Sequence, residues 1–216
     1  MINFYFNFTR NTVILLLLTI FLIALAFVLP IEYSYENHLL ENLEVVILFI
    51  GFIFNIKMIF KTELYDSIKF YVASSVVYLL MIGRELSWGR VFYPVGLDNH
   101  GEQIFVKVQE LWYGPVVYPI VGFLIILALL LLGYFAYQCK TKGIRINVPL
   151  EAFGLFVIMG ILSQCVFDRG LISTLGDYNQ LLEENCEILA YISLLICSYK
   201  ISFKKIYIRI KYFSMI

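Results

Sequence analysis

Residues 116–137, VVYPIVGFLIILALLLLGYFAY, run for 22 positions without one charged side chain. As a helix rising about 1.5 Å per residue, such a run reaches about 33 Å, enough to cross a hydrocarbon layer about 30 Å thick. Backbone amides in that layer find no water, so the segment must close its hydrogen bonds internally. Membrane strands alternate apolar and polar side chains over about ten positions, whereas this run is continuously apolar, which selects a helix over a barrel.

Five further stretches approach the same length, giving about six spans at residues 12–30, 43–60, 68–83, 115–137, 149–167 and 187–203. Hydrophobic residues make up 61% of the 216 and charged residues only 15%. A soluble domain averages about 45–50% and about 25%, so a water-soluble fold could not hide this apolar surface. The expected fold is all-α, a polytopic transmembrane helix bundle in one domain. The third span is the shortest, with Lys69 at one end and Arg84 and Glu85 at the other, placed to reach the interfaces. The first resembles a signal peptide in Arg10 and Ala24-Leu25-Ala26, but its apolar run continues through Phe27-Val28-Leu29, which favours an uncleaved anchor.

Net charge is zero, and no basic excess points to nucleic acid. The charges nevertheless sort by loop. Arg10, Lys57, Lys61, Lys69, Lys140, Lys142, Arg145, Lys200, Lys204, Lys205, Arg209 and Lys211 fall on one side, and only Arg84, Arg90, Lys107 and Arg169 on the other. Lysine and arginine accumulate on the cytoplasmic side of short loops. The N-terminus and C-terminus are therefore expected in the cytoplasm, and the protein in the inner (cytoplasmic) membrane as a multi-pass chain. Of the acids only Glu63, Asp66 and Glu151 fall on the basic side, so the outer face is acidic. The alternating base and apolar residue from Lys204 to Lys211 suits anionic lipid at the inner surface.

Polar groups at membrane depth are costly and gather around a bundle interior or an aqueous cavity. Here they gather on the outer side. Glu41 and Glu44 open the second span, three residues apart on one helix face. Arg84, Glu85, Ser87, Trp88 and Arg90 form the densest polar block, and arginine forks can hold carboxylate or phosphate. An interfacial belt of Trp88, Phe92 and Tyr93 is the equally weighted alternative. Asp168 and Arg169 close the fifth span. Glu183, Glu184 and Glu187 open the sixth, with Tyr191 on the face of Glu184 and Glu187. Carboxylates so close suit proton handling or a divalent cation, while a solvated N-terminal turn is the plainer reading.

Between the third and fourth spans, residues 91–114 carry His100 and the apolar positions Ile104, Phe105, Val108, Leu111 and Trp112, a spacing that predicts a short amphipathic helix on the membrane surface. His38 and His100 stand outside any zinc pattern, so the spacing assigns no metal ligand. Cys165 and Cys186 sit near the outer ends of consecutive spans, where free buried thiols are favoured over a disulfide. Nucleotide loops and the GxSxG elbow are absent from the sequence.

The block Glu85-Leu86-Ser87-Trp88-Gly89 resembles the Glu-(Leu/Ile)-Ser-Trp-Gly motif of a group of uncharacterised bacterial multispan inner-membrane proteins. Glu41 to Glu44 and Glu183 to Glu187 are similar to that group's glutamate-rich second span and late acidic pair. The resemblance covers three short stretches and implies no activity or cofactor.

Three functions are consistent with these residues. In the first, Glu44, Arg84, Ser87, Trp88, Arg90, Asp168, Arg169 and Glu184 line an outward cavity that binds a small polar ligand or lipid headgroup. If that ligand is transformed, Glu85 and Glu187 are the acid–base candidates. The second is a proton- or cation-coupled transporter, against which stands the lack of ionisable residues in the inner halves of the spans. The third is a non-catalytic assembly subunit with a membrane-protein partner, in which Ala73, Ser74 and Ser75 allow close helix contact.

Overall fold

The computed structural model describes residues 2–6, 10–98 and 102–205. Its order is β1 (Ile2–Tyr5), α1 (Arg10–Ala26), α2 (Leu39–Lys61), α3 (Tyr65–Glu85), β2 (Pro94–Leu97), β3 (Gln103–Phe105), α4 (Gly114–Thr141), β4 (Ile144–Pro149), α5 (Leu150–Ile161), α6 (Tyr178–Lys200) and β5 (Ser202–Lys205). His100 and the basic tail beyond Lys205 lie outside the described residues.

The architecture is mostly helical. Among the described residues, four helical segments are long and apolar enough to cross a membrane: Ile31–Lys61, Tyr65–Glu85, Gly114–Thr141 and Leu150–Phe167. Helix α1 is apolar but has only 17 residues. Helix α6 has 23, and the acids in its first half make it more polar.

Its neighbours explain how α6 tolerates that polarity. It packs against α1, α2 and α5, and Leu181, Leu182, Ile188, Leu189 and Tyr191 are all buried. By contrast α4 packs mainly on α3 and is the most apolar and least buried of the four candidate spans. This inversion, apolar outside and polar inside, is what a hydrocarbon solvent favours. It also moves a boundary. The apolar run predicts a last helix starting at Glu187, but the helix begins nine residues earlier, because residues 179–186 are sheltered by neighbours rather than by their own hydropathy. Glu187 therefore lies more than two turns inside a helix and not in a solvated first turn.

Two small sheets, which the apolar runs do not predict, complete the fold. At one end β4 pairs in parallel with β1 and antiparallel with β5, with Ile2 opposite Ile146 and Asn147 opposite Ser202. Gly143, at φ +64, turns the chain from α4 into β4. Ile144, Ile146 and Val148 then alternate inward onto Leu15, Phe135 and Cys139. The Phe203 ring caps Phe70 and Phe135 at 5.1 and 5.4 Å. Near the other end β2 and β3 form a hairpin with an irregularity between Pro94 and Gly96. This corrects the expected surface helix over 91–114: Pro94 and Gly96 disfavour a helix, and the described residues of the segment form this hairpin flanked by short 3-10 turns at Ser87–Phe92 and Val108–Glu110.

The basic residues collect at the three-stranded sheet. There Lys142 pairs with Asp66 at 2.5 Å, Lys200 with Glu151 at 3.0 Å, and Lys69 bonds Gln138 at 3.0 Å. Two of the three acids on the basic side are thus matched to lysines.

Candidate functional site

At the opposite end three helices converge through carboxylates. Glu44 stands in the second turn of α2, Glu85 closes α3, and Glu187 comes from within α6. One oxygen from each lies within 4.8 Å of the others, and all three residues are buried. Consecutive helical residues point about 100° apart. Glu85 therefore turns inward, 6% exposed, while Arg84 stays at the rim with its side chain 48% exposed.

Arg84 reaches across the group. Its Nη2 donates to Glu187 Oε1 at 2.7 Å, and its Nε lies 3.8 Å from Glu85 Oε1. Its Nη1 makes only a 3.5 Å contact with the Tyr191 hydroxyl. Tyr191, one turn beyond Glu187, donates to Glu85 Oε1 at 2.5 Å and lies 3.1 Å from Glu187 Oε2.

The fifth helix supplies further donors through an irregular turn. After Ile161 the helix widens to π geometry over Leu162–Phe167, with Asp168 N bonded to Ser163 O. Such widened turns recur at functional sites. Here the turn aims two consecutive side chains at one acceptor: Ser163 Oγ donates to Glu187 Oε1 at 2.8 Å and Gln164 Nε2 at 2.5 Å. Glu187 is thus held by donors from α3 and from the π turn that follows α5, with the Tyr191 oxygen of its own helix 3.1 Å away.

Glu44 is the exception. It is fully buried, at 0% exposure, and neither of its oxygens accepts a hydrogen bond. Glu41 and Glu184 stand within electrostatic reach of it, adding negative charge rather than donors. Leaving a buried polar group without a partner costs about 1–3 kcal/mol, more for a charged one. The cluster as a whole sets three carboxylates against one guanidinium, which neutralises one of them. Its chemistry is that of a site demanding further positive charge or hydrogen-bond donors.

The sequence-predicted residues are divided by the structure. Glu44, Arg84, Glu85 and Glu187 meet, with Glu184 beside them. Ser87 and Arg90 turn away to Glu36, a residue the sequence reading did not single out. Ser87 Oγ donates to Glu36 Oε1 at 2.8 Å, and Arg90 Nη2 lies 2.5 Å from each Glu36 oxygen. The cause is backbone: Ser87, Trp88 and Gly89 follow one another at φ +44, +55 and +88, reversing the chain directly after α3. The Trp88 ring folds back over Gly83, beside a cleft of about 400 Å³ lined by Leu79, Leu86, Tyr113 and Val117. Asp168 and Arg169 are exposed and enter none of the described ion pairs, so they lie apart from the cluster. Cys165 is exposed and Cys186 buried, both as free thiols. Ser163 and Gln164 are the site residues that reading missed, because nothing in LSQCVF announces a π turn.

Compared with family models, curated proteins and solved structures, the chain matches none of them.

Proposed function

We propose that this chain is a multi-pass protein of the inner membrane, crossing six times with its N-terminus and C-terminus in the cytoplasm. On this reading its Glu44–Glu85–Glu187 cluster, with Arg84 at the rim, binds a small polar ligand or lipid headgroup from the outer side. The six crossings add α1 and α6 to the four long apolar segments. The direction follows from the lysines gathered at the three-stranded sheet.

The observation that carries the reading is the placement of Arg84. A half-exposed guanidinium spans two buried carboxylates from different helices, and its Nη1 keeps most of its donor capacity. An anionic group arriving from outside meets Nη1, while the hydroxyl or cationic part of the same molecule meets the carboxylates beneath. A headgroup or small metabolite bearing both kinds of group fits. A purely anionic one is repelled by the acids, and a purely apolar one gains nothing.

The test is thiol labelling in a background without the four native cysteines, using Glu85→Cys, Glu187→Cys and, as an exposed reference, Asp168→Cys. A membrane-impermeant reagent is added from the outer side with and without lipid extract. The reading expects all three positions to label and the first two to be protected by lipid. Labelling at the reference alone would mean a sealed network, and the polar layer would then serve assembly with a membrane partner.

A further inference from the structure

We propose that Glu44, Glu85 and Glu187 are the protein ligands of one divalent cation of the hard, oxygen-preferring class that includes Mg²⁺, Mn²⁺ and Ca²⁺. The inference rests on the ligand-binding reading above and deepens it, naming what lies beneath Arg84.

Oxygens sharing one such ion sit about 2.0–2.6 Å from it, so they lie no more than about 5 Å from one another. One oxygen of each glutamate meets that limit, all three falling within 4.8 Å. The three come from α2, α3 and α6, helices whose packing is fixed by the surrounding core, so the spacing is held by the fold and not by a loop.

The independent sign of a cation is Glu44. Its side chain is wholly buried, is aimed into the group, and among the described residues its oxygens meet no donor other than a neighbouring carboxyl, that of Glu85. Serine, glutamine, tyrosine and arginine all serve Glu187 or Glu85, and none serves Glu44. The charge agrees in sign: three carboxylates outnumber the one guanidinium, and Glu41 and Glu184 nearby add to the negative excess.

The remaining donors orient the ligands, as outer-sphere groups do around metal sites. Glu187 Oε1 already accepts from Arg84, Ser163 and Gln164, which leaves Oε2, 3.1 Å from the Tyr191 oxygen, as the freer oxygen for an ion. Tyr191 bridges Glu187 and Glu85 and sets their separation. An all-carboxylate set favours hard ions over zinc or copper, which prefer imidazole and thiolate. Three protein ligands leave about three octahedral positions for water or for oxygens of the bound molecule, which would be gripped between the ion and Arg84.

The experiment is Mn²⁺ binding to the purified, chelator-treated protein in detergent, read by electron paramagnetic resonance. One Mn²⁺ per chain is expected, displaced by Mg²⁺ or Ca²⁺. Glu44→Gln and Glu85→Gln should each weaken binding at least tenfold, and the exposed Glu110→Gln should leave it unchanged. Thermal unfolding of the variants in chelator shows that they are folded, since Glu44→Gln removes a buried carboxyl from among other acids and should melt no lower than wild type. No bound Mn²⁺ on the wild-type protein up to ~1 mM, the weak end of biological Ca²⁺ sites, overturns the inference, as does binding that both glutamine variants retain. If Mn²⁺ fails to bind while positions 85 and 187 still label and are lipid-protected, only the ion is lost. If labelling fails too, the ligand site falls with it.

Discussion

Tyr191 hands its one phenolic hydrogen to Glu85 across 2.5 Å, tying the middle of α6 to the last residue of α3. The same oxygen lies 3.1 Å from Glu187 Oε2, so a single hydroxyl sets the distance between two acids from different helices. Tyr191→Phe removes that bond and leaves Arg84, at 3.8 Å, as the cation beside Glu85. Bonds to charged groups are worth about 1.5–3 kcal/mol, neutral ones about 1. Tyr78, whose hydroxyl meets Ser198 at 3.0 Å, is the neutral comparison. Melting in detergent should fall further for Tyr191→Phe than for Tyr78→Phe, and the reverse order would show that the acid cluster does not hold α3 to α6.

Arg84 is the cluster's one cation, and its removal should be felt more than its exposure suggests. Breaking a buried pair by deleting one partner costs about 3–5 kcal/mol because the other charge is stranded. Arg84 is half exposed, so Arg84→Gln should cost about 2 kcal/mol, below that range. Arg84→Lys keeps the charge but cannot fork between Glu187 and Glu85, and should fall between wild type and glutamine. Adding Glu187→Gln to Arg84→Gln should recover part of the loss. A double variant no better than the single would place the cost in packing instead of charge.

The charge pattern along the chain foretold which helix ends lie together. Lys142 and Lys200 meet the acids Asp66 and Glu151 at one end, where Lys69 bonds Gln138, while Glu44, Glu85 and Glu187 meet at the other. It could not foretell which polar residues at one depth touch. Arg84 and Arg90 lie six positions apart in a single block, yet three left-handed residues between them send one to Glu187 and the other to Glu36. Ser163 and Gln164 reach Glu187 through a π turn set by tertiary packing. The Ile144-Arg145-Ile146-Asn147-Val148 alternation is readable as a strand once looked for, but its parallel partner Ile2–Tyr5 lies about 140 residues away, with no local signal. Helix α6 was read short because hydropathy measures a segment's own contact with lipid, and its first turns face protein.

Glu36 deserves a role in any account of the outer surface, since it gathers Ser87 and Arg90 onto the chain just before α2. Arg90 and Glu36 are 33% and 27% exposed, so the fork should contribute about 1 kcal/mol. Its larger effect is local. Glu36→Gln frees the start of the 87–113 segment, and limited proteolysis should cut there several-fold faster with little change in global melting. An unchanged cleavage rate would mean that the hairpin and the Tyr113 bond to Trp88 suffice to hold it.

The turn at Trp88 and Gly89 decides where the block splits, and Gly89 is the residue on which it depends. At φ +88 an L side chain is strained, and a Cβ there would press on the Tyr113 hydroxyl, which donates to the Trp88 carbonyl at 3.3 Å. Gly89→Ala should therefore combine backbone strain of about 1 kcal/mol with loss of that bond. Gly96 is the matched control: it has ordinary φ and no atom near its Cβ direction, so Gly96→Ala should be neutral or slightly stabilising through the unfolded chain. Opposite shifts in melting temperature for the two variants are expected, with the Gly89 variant also cleaved faster in the segment that Glu36 holds. Equal shifts would mean that the left-handed turn is a passive consequence of the hairpin, and that Arg90 reaches Glu36 without it.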